Sequence, residues 1–210
     1  MVAPLERVLV VRPTLSGDFA GAGWRAPDTG SLQRQHESFV TLLAGLGVEV
    51  VVAEAPEGMV DACFAYDPVF VIGDGAIELQ MAKPARRLEP AFLAAEVEKA
   101  GVPVTARLTG AATVDGGDMC WLDETTLAVG RSYRTNAAGH DQLGEILGRQ
   151  GVTVERADNA VILPAESVAV PLSWSTGRES GRRAFGSSGD DRREGEKPCR
   201  CHRWWSPPPT

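Results

Sequence analysis

Residues 113–136 read TVDGGDMCWLDETTLAVGRSYRTN. Asp115 and Asp118 bracket Gly116 and Gly117, where the missing Cβ atoms let the backbone turn tightly and come close to a ligand. Residues 119–122 and 126–129 are apolar runs around a turn at Asp123-Glu124, which predicts a β-hairpin. Arg134 follows, just ahead of a helix opened by Thr135 or Asn136. Two carboxylates, a close-approach backbone and an arginine within one run predict a wall of a small-molecule site, for a ligand carrying both charge signs.

The same arrangement recurs outward along the chain. Residues 31–46 are amphipathic, with Leu32, His36, Phe39, Val40, Leu43 and Leu46 near one face, and stop at Gly47 before GVEVVV. Residues 88–100, with Pro90 in the first turn, stop at Gly101 before GVPVT, and residues 141–150 stop at Gly151 before GVTVE. A helix, a glycine stop and a Val-x-Val strand thus repeat about every 50 residues, the mark of a recurring supersecondary unit. A hairpin over 69–72 and 77–80, turning at Gly73-Asp74-Gly75, matches the one after Asp118. Asp67 stands ahead of the first hairpin as Asp118 does ahead of the second, and Arg86 and Arg134 each precede a helix at the same spacing. Either these side chains converge from equivalent corners of related units, or they are turn and cap residues without further role.

At 210 residues and 43% hydrophobic, the chain is long enough for one globular core. Its formal charge is −7, although residues 175–210 carry eight Lys/Arg against five Asp/Glu, so the body is more acidic than the whole. An acidic body argues against a nucleic-acid groove and suits a cationic small molecule. No apolar run approaches the length of a membrane span, and four cysteines without paired spacing predict reduced thiols in a cytoplasmic protein. From residue 174 onward Gly, Ser, Arg and Pro dominate and no amphipathic period survives. The predicted organisation is therefore a folded α/β domain over 1–173 and a low-complexity, disordered tail over 174–210, read as a natural tail or as out-of-frame translation.

The segments MVDACFAYDPVFV, MAKPARRLEP, ATVDGGDMCWLDETTLAVG and SYRTNAAG together resemble the guanidino-group-modifying (pentein) superfamily of dimethylarginine dimethylaminohydrolases, arginine deiminases and amidinotransferases. The resemblance runs from about Val8 to Val154 and leans towards the dimethylarginine hydrolases. It implies an α/β propeller of five ββαβ units around a polar channel, about three of them complete here, with association through the open edge. It also implies a guanidino substrate such as methylated arginine, cleaved to citrulline and an alkylamine, with no cofactor and no metal. Carried over by position, Asp67 and Asp61 face the guanidinium, Asp118 lies near it, and Arg86 and Arg134 hold the substrate carboxylate. Asp115 takes the place of the acid that orients a catalytic histidine, and residues 14–28 take that of a mobile lid. Several carboxylates crowded together repel one another until a planar cation arrives to pair with them.

The implied chemistry also needs a cysteine thiolate to attack the guanidinium carbon and a histidine to handle protons. Neither stands here in a recognisable setting. Cys120 and Cys63 fall on predicted strands and read as buried structural thiols; His36 and His140 fall in helices, His140 on a solvent-facing stretch. Cys199, Cys201 and His202 form a CRCH that lacks a second ligand pair for a metal. The chain is expected to be inactive alone.

Overall fold

A computed structural model describes residues 5–157 and 169–171. The chain divides into units 1–178 and 179–210, and every described residue belongs to the first. The anticipated tail over 174–210, its CRCH residues Cys199, Cys201 and His202, and the boundary at 173 lie outside the described residues.

The architecture is α/β, with the described strands in three three-stranded sheets. In the second sheet, β3 (Val69–Ile72) and β4 (Gly75–Glu78) form an antiparallel hairpin; α2 (Glu89–Lys99) then crosses over and β5 (Val104–Arg107) returns parallel to β4. The third repeats this: β6 (Met119–Trp121) and β7 (Thr126–Gly130) pair antiparallel, α3 (Ala137–Gly148) crosses, and β8 (Thr153–Ala157) lies parallel to β7. These are two contiguous ββαβ units. In the first sheet β1 (Arg7–Arg12), α1 (Thr29–Gly45) and β2 (Glu49–Glu54) supply only the βαβ part. Its antiparallel partner, β9 (Ala169–Pro171), arrives from far along the chain.

The three α-helices among the described residues end in the same way. Gly47, Gly101 and Gly151 have φ of 84°, 89° and 79°, the left-handed region open to glycine. Behind them the amide of Val48 donates to the carbonyl of Leu43, that of Val102 to Val97 and that of Val152 to Leu147. The glycine amides donate to Ala44, Glu98 and Gly148, which completes a Schellman motif each time. The valine after each glycine is buried with the residue its amide reaches, so the cap also fixes how the next strand enters the core. At the opposite ends Asp28 caps α1 by accepting from the Ser31 amide and Asn136 caps α3 by accepting from the Gly139 amide.

Core packing links the units in sequence. Leu9, Val11 and Ala53 of the first sheet pack with Val69 and Val71 of the second and with Leu93 and Val97 of α2. Phe70, Ile77 and Leu79, on the other side of the second sheet, pack with Leu127 and Val129 of the third and Leu143 and Leu147 of α3. The second sheet is therefore buried on both faces. Among the described residues no helix is long and apolar enough to cross a membrane.

Three expectations need correction. Cys120 is exposed rather than buried, because β6 is an edge strand whose alternation turns Met119 inward and Cys120 outward. His140 is buried at 2% exposure rather than solvent-facing, because in α3 it falls on the inward face with Gly139, Leu143 and Leu147. Cys63 is on no strand: successive turns, closed by Ala62 to Met59, Phe64 to Asp61 and Asp67 to Phe64 amide–carbonyl bonds, carry the chain from β2 to β3.

Two glycines of α3 provide a matched test of this packing. A Cβ on Gly139 would sit 2.1 Å from the Thr113 carbonyl oxygen and 2.7 Å from Val114 Cγ2, whereas one on Gly144 meets nothing within 4 Å. Gly139→Ala is expected to cost about 2 kcal/mol or more through overpacking against backbone. Gly144→Ala is expected to stabilise by about 0.5–1 kcal/mol through helix propensity. Urea unfolding of the two variants reads the opposite signs directly.

Candidate functional site

The residues just ahead of each hairpin and helix meet in one ion network. Asp67 ends the turns before β3, and Arg86 lies in the 3-10 turn Pro84–Arg86 before α2. Arg86 Nη1 donates to Asp67 Oδ2 at 2.7 Å. Asp118 closes the 3-10 turn Gly116–Asp118 before β6, and Arg134 precedes α3; Arg134 Nη2 donates to Asp118 Oδ1. Each repeat thus pairs its own aspartate with its own arginine. Asp115 lies between the two pairs, 3.9 Å from Arg86 and 3.4 Å from Arg134.

Close backbone approach makes this meeting geometrically feasible. A Cβ on Gly116 would stand 2.4 Å from the Tyr66 carbonyl oxygen, so only glycine lets the two corners touch there. The Gly116 amide donates to the Asp67 carbonyl, and Asp115 caps its own turn by accepting from the Gly117 amide at 2.9 Å.

Around the network lies a cleft of about 90 Å³ whose lining includes Asp61, Asp67, Arg86, Asp115 and Arg134. Five of the six anticipated site residues therefore share one cavity. Asp118 sits behind its wall: Oδ2 accepts from Ser132 Oγ at 2.6 Å and Thr135 Oγ1 at 2.8 Å while Oδ1 holds Arg134. It orients Arg134 rather than facing the cavity. Arg86 is committed at all three nitrogens, to Asp67, to Glu89 at 2.7 Å and to the Phe64 carbonyl at 3.3 Å.

Sequence reasoning missed Trp24, Lys83, Glu89 and Tyr133. The Trp24 indole N–H donates to Asp61 Oδ1 and Lys83 Nζ donates to Asp61 Oδ2 at 2.6 Å, so both oxygens of Asp61 have protein partners. Trp24 also lies 5.7 Å from the Phe64 ring, which draws the anticipated lid stretch over 14–28 onto the cleft. Glu89, three residues after Arg86, has a detectable signal in the i,i+3 spacing of ARRLE. The others reach the cleft only through folding.

Charge does not balance here. Asp61, Asp67, Glu89, Asp115 and Asp118 face Lys83, Arg86 and Arg134, a surplus of two negative charges if all are ionised. Asp67 Oδ1 and Glu89 Oε1 are buried and accept no hydrogen bond from any described residue. Burial first, and then the neighbouring Asp115, push the Asp67 carboxyl up to about 6 in spite of Arg86. Burial likewise pushes Glu89 up to about 7, and Asp115 is raised from the usual carboxylate range.

None of the four described cysteines and histidines lines this cleft. Burial, followed by the Asp61 charge, pushes the Cys63 thiol up to about 12, which keeps it protonated and unreactive. His36 is held below its usual value by burial in α1, on the margin of a separate apolar cavity with Val11 and Cys63.

The raised carboxyls set a pH dependence. Both bind protons more readily in the folded chain than in the unfolded one, so their stabilising effect is present below the unfolded carboxylate range. It is lost as pH rises through about 6 for Asp67 and about 7 for Glu89. The urea midpoint is expected to fall between pH 5 and pH 8, and Glu89→Gln is expected to flatten the upper part of that fall.

Comparison with known proteins bears on the fold and the family. A dimethylarginine dimethylaminohydrolase of Streptomyces coelicolor is 28% identical over 176 residues, covering 82% of this chain and 67% of that protein. The Bacillus subtilis protein YkgA, itself uncharacterised, is 33% identical over 113 residues, covering 54% and 38%. The chain thus spans between about a third and two thirds of these relatives' length. The crystal structure of a cysteine-to-serine variant of the Pseudomonas aeruginosa dimethylarginine dimethylaminohydrolase, complexed with citrulline, superposes with a TM-score of 0.65 at 23% identity. That match covers 76% of this chain and 63% of the other, and shows that the fold is shared. The family model described as N,N dimethylarginine dimethylhydrolase, eukaryotic, matches residues 30–164. With its paired aspartates and arginines gathered on that shared fold, the chain belongs to the dimethylarginine hydrolase family of guanidino-modifying proteins.

Proposed function

We propose that the cleft is the substrate-recognition part of a dimethylarginine-hydrolase-type site and takes the guanidinium of a methylated arginine. The observation that carries this reading is Asp67 Oδ1, a buried carboxylate oxygen of a cleft-lining residue with no hydrogen-bond donor among the described residues, inside a cluster with surplus negative charge. A guanidinium supplies both what is missing: N–H donors in one plane and a compensating positive charge. Trp24, Phe64 and Tyr133 give the same cleft aromatic walls, against which N-methyl groups and a delocalised cation pack favourably.

In this reading Asp67 receives the guanidinium directly, Asp61 can do so on release of Lys83, and Asp115 sets the charge between Arg86 and Arg134. Arg134, less enclosed than Arg86, faces the ligand's carboxylate side, and Asp118 holds it there. Hydrolysis of the family type requires a thiolate to add to the guanidinium carbon and the alkylamine to leave with a proton. Water then cleaves the thiouronium to citrulline and restores the thiol. Because no described cysteine or histidine lines the cleft, the proposal for this chain alone is binding without turnover.

Titration calorimetry with NG-methylarginine tests recognition, and a citrulline-release assay tests turnover. Asp67→Asn keeps the shape but removes the charge, and is expected to weaken binding at least tenfold; unchanged affinity would remove Asp67 from the site. Citrulline release by the isolated chain would overturn the non-catalytic part of the reading.

A further inference from the structure

Asp61 and Asp67 both line the cleft, but they are not in the same state. Asp67 keeps Oδ1 without a donor among the described residues. Asp61 is filled: the Trp24 indole N–H donates to Oδ1 and Lys83 Nζ donates to Oδ2 at 2.6 Å. The Lys83 ammonium also stands 5.5 Å from the centre of the Trp24 ring, between a carboxylate and an aromatic face. A carboxylate and an aromatic face are the two features that suit the cleft to a ligand cation. Lys83 is therefore an ammonium already seated in the site, on a tether.

Among the described residues, the cations that line the cleft are Lys83, Arg86 and Arg134, and they differ in how firmly they are held. Arg86 is buried and donates from all three nitrogens, to Asp67, Glu89 and the Phe64 carbonyl. Arg134 is tied to Asp118 and lies beside Asp115. Lys83 makes one ion pair, to Asp61, and its side chain is 33% exposed. It stands directly ahead of the 3-10 turn Pro84–Arg86, where the Arg86 amide donates to the Lys83 carbonyl. The backbone is thus fixed while the flexible stem can carry the ammonium out to water. Lys83 can leave its seat without opening the contacts that join Asp67, Arg86 and Glu89.

Resting on the guanidino reading of the cleft, we propose that Lys83 is a specificity-determining residue, a tethered competitor that holds Asp61 against ammonium ligands and yields it to a guanidinium. An incoming ammonium has to evict a group of its own kind, whose tether gives it an effective concentration of about millimolar or more. It then takes over the place of Lys83 and gains little. A guanidinium carries several N–H donors in one plane. It can replace the Lys83 bond to Asp61 and also serve Asp67 Oδ1, which Lys83 leaves without a donor. The exchange moves the Lys83 ammonium into water, where it becomes chemically accessible.

Two measurements on the full chain test this. Limited acetylation read by peptide mass spectrometry follows Lys83 against Lys99, an exposed lysine of α2 paired with Glu96. Saturation with NG-methylarginine is expected to raise the Lys83 to Lys99 labelling ratio at least threefold, and an unchanged or lowered ratio overturns the inference. Titration calorimetry then compares NG-methylarginine with Nε-methyllysine on wild type and on Lys83→Met, whose unbranched uncharged chain keeps contact with Trp24. The preference for methylarginine over methyllysine is expected to fall at least fivefold in the variant, through tighter binding of methyllysine. A smaller fall overturns the inference, as does equal loss of both ligands, which marks Lys83 as a structural partner of Asp61 alone. Urea midpoints check that Lys83→Met folds; if it does not, the labelling of wild type decides. Methylarginine binding with an unmoved Lys83 leaves the guanidino reading standing without this inference, and no methylarginine binding to wild type overturns both.

Discussion

The structure turns on two internal ion pairs, Asp67 with Arg86 and Asp118 with Arg134, with Asp115 placed between them. All five side chains are buried or largely so, and charges withdrawn from water are tolerated only when each has a partner with good geometry. Each pair ties the turn before a hairpin to the turn before a helix within one unit. Asp115 then couples one unit to the next. The network therefore organises the corners of the fold and, through the same atoms, defines the cleft.

Why those corners coincide follows from the repeat. Three helices end in the same glycine-dependent cap, each cap delivers a buried valine to the following strand, and the sheets share hydrophobic clusters with their neighbours. A repeated unit with one entry angle presents equivalent residues at equivalent places. The close approach of Gly116 to the Tyr66 carbonyl leaves no space for a side chain. That contact lets carboxylates and arginines from different units come within ion-pair range.

The cluster's imbalance gives the cleft its chemistry. More carboxylates than cations, an Asp67 oxygen without a donor among the described residues, and carboxyls pushed towards neutral pH all describe a site lacking a positive charge. A network that satisfied every member would be structural alone. Here the acceptor belongs to an aspartate that lines a cavity with aromatic walls.

Much of this was legible in the chain itself. The glycine stops at 47, 101 and 151, the hairpins after Asp67 and Asp118 and the spacing of Arg86 and Arg134 are local signals repeated at a fixed period, so they announced related α/β units and converging charges. Asp118 was placed in the right neighbourhood, but its turn from the cavity toward Ser132, Thr135 and Arg134 depends on side-chain contacts no spacing encodes. The burial of His140 and exposure of Cys120 were misjudged because the face a helix turns to the core and an edge position in a sheet decide them. Only the tertiary structure could show that Trp24 and Lys83 both hold Asp61, or that Arg86 is occupied at every nitrogen. Sequence sets the periodic backbone, because caps, turns and alternation act over a few residues. Which charge ends up paired and which is left for a ligand is settled by distances between residues far apart in the chain.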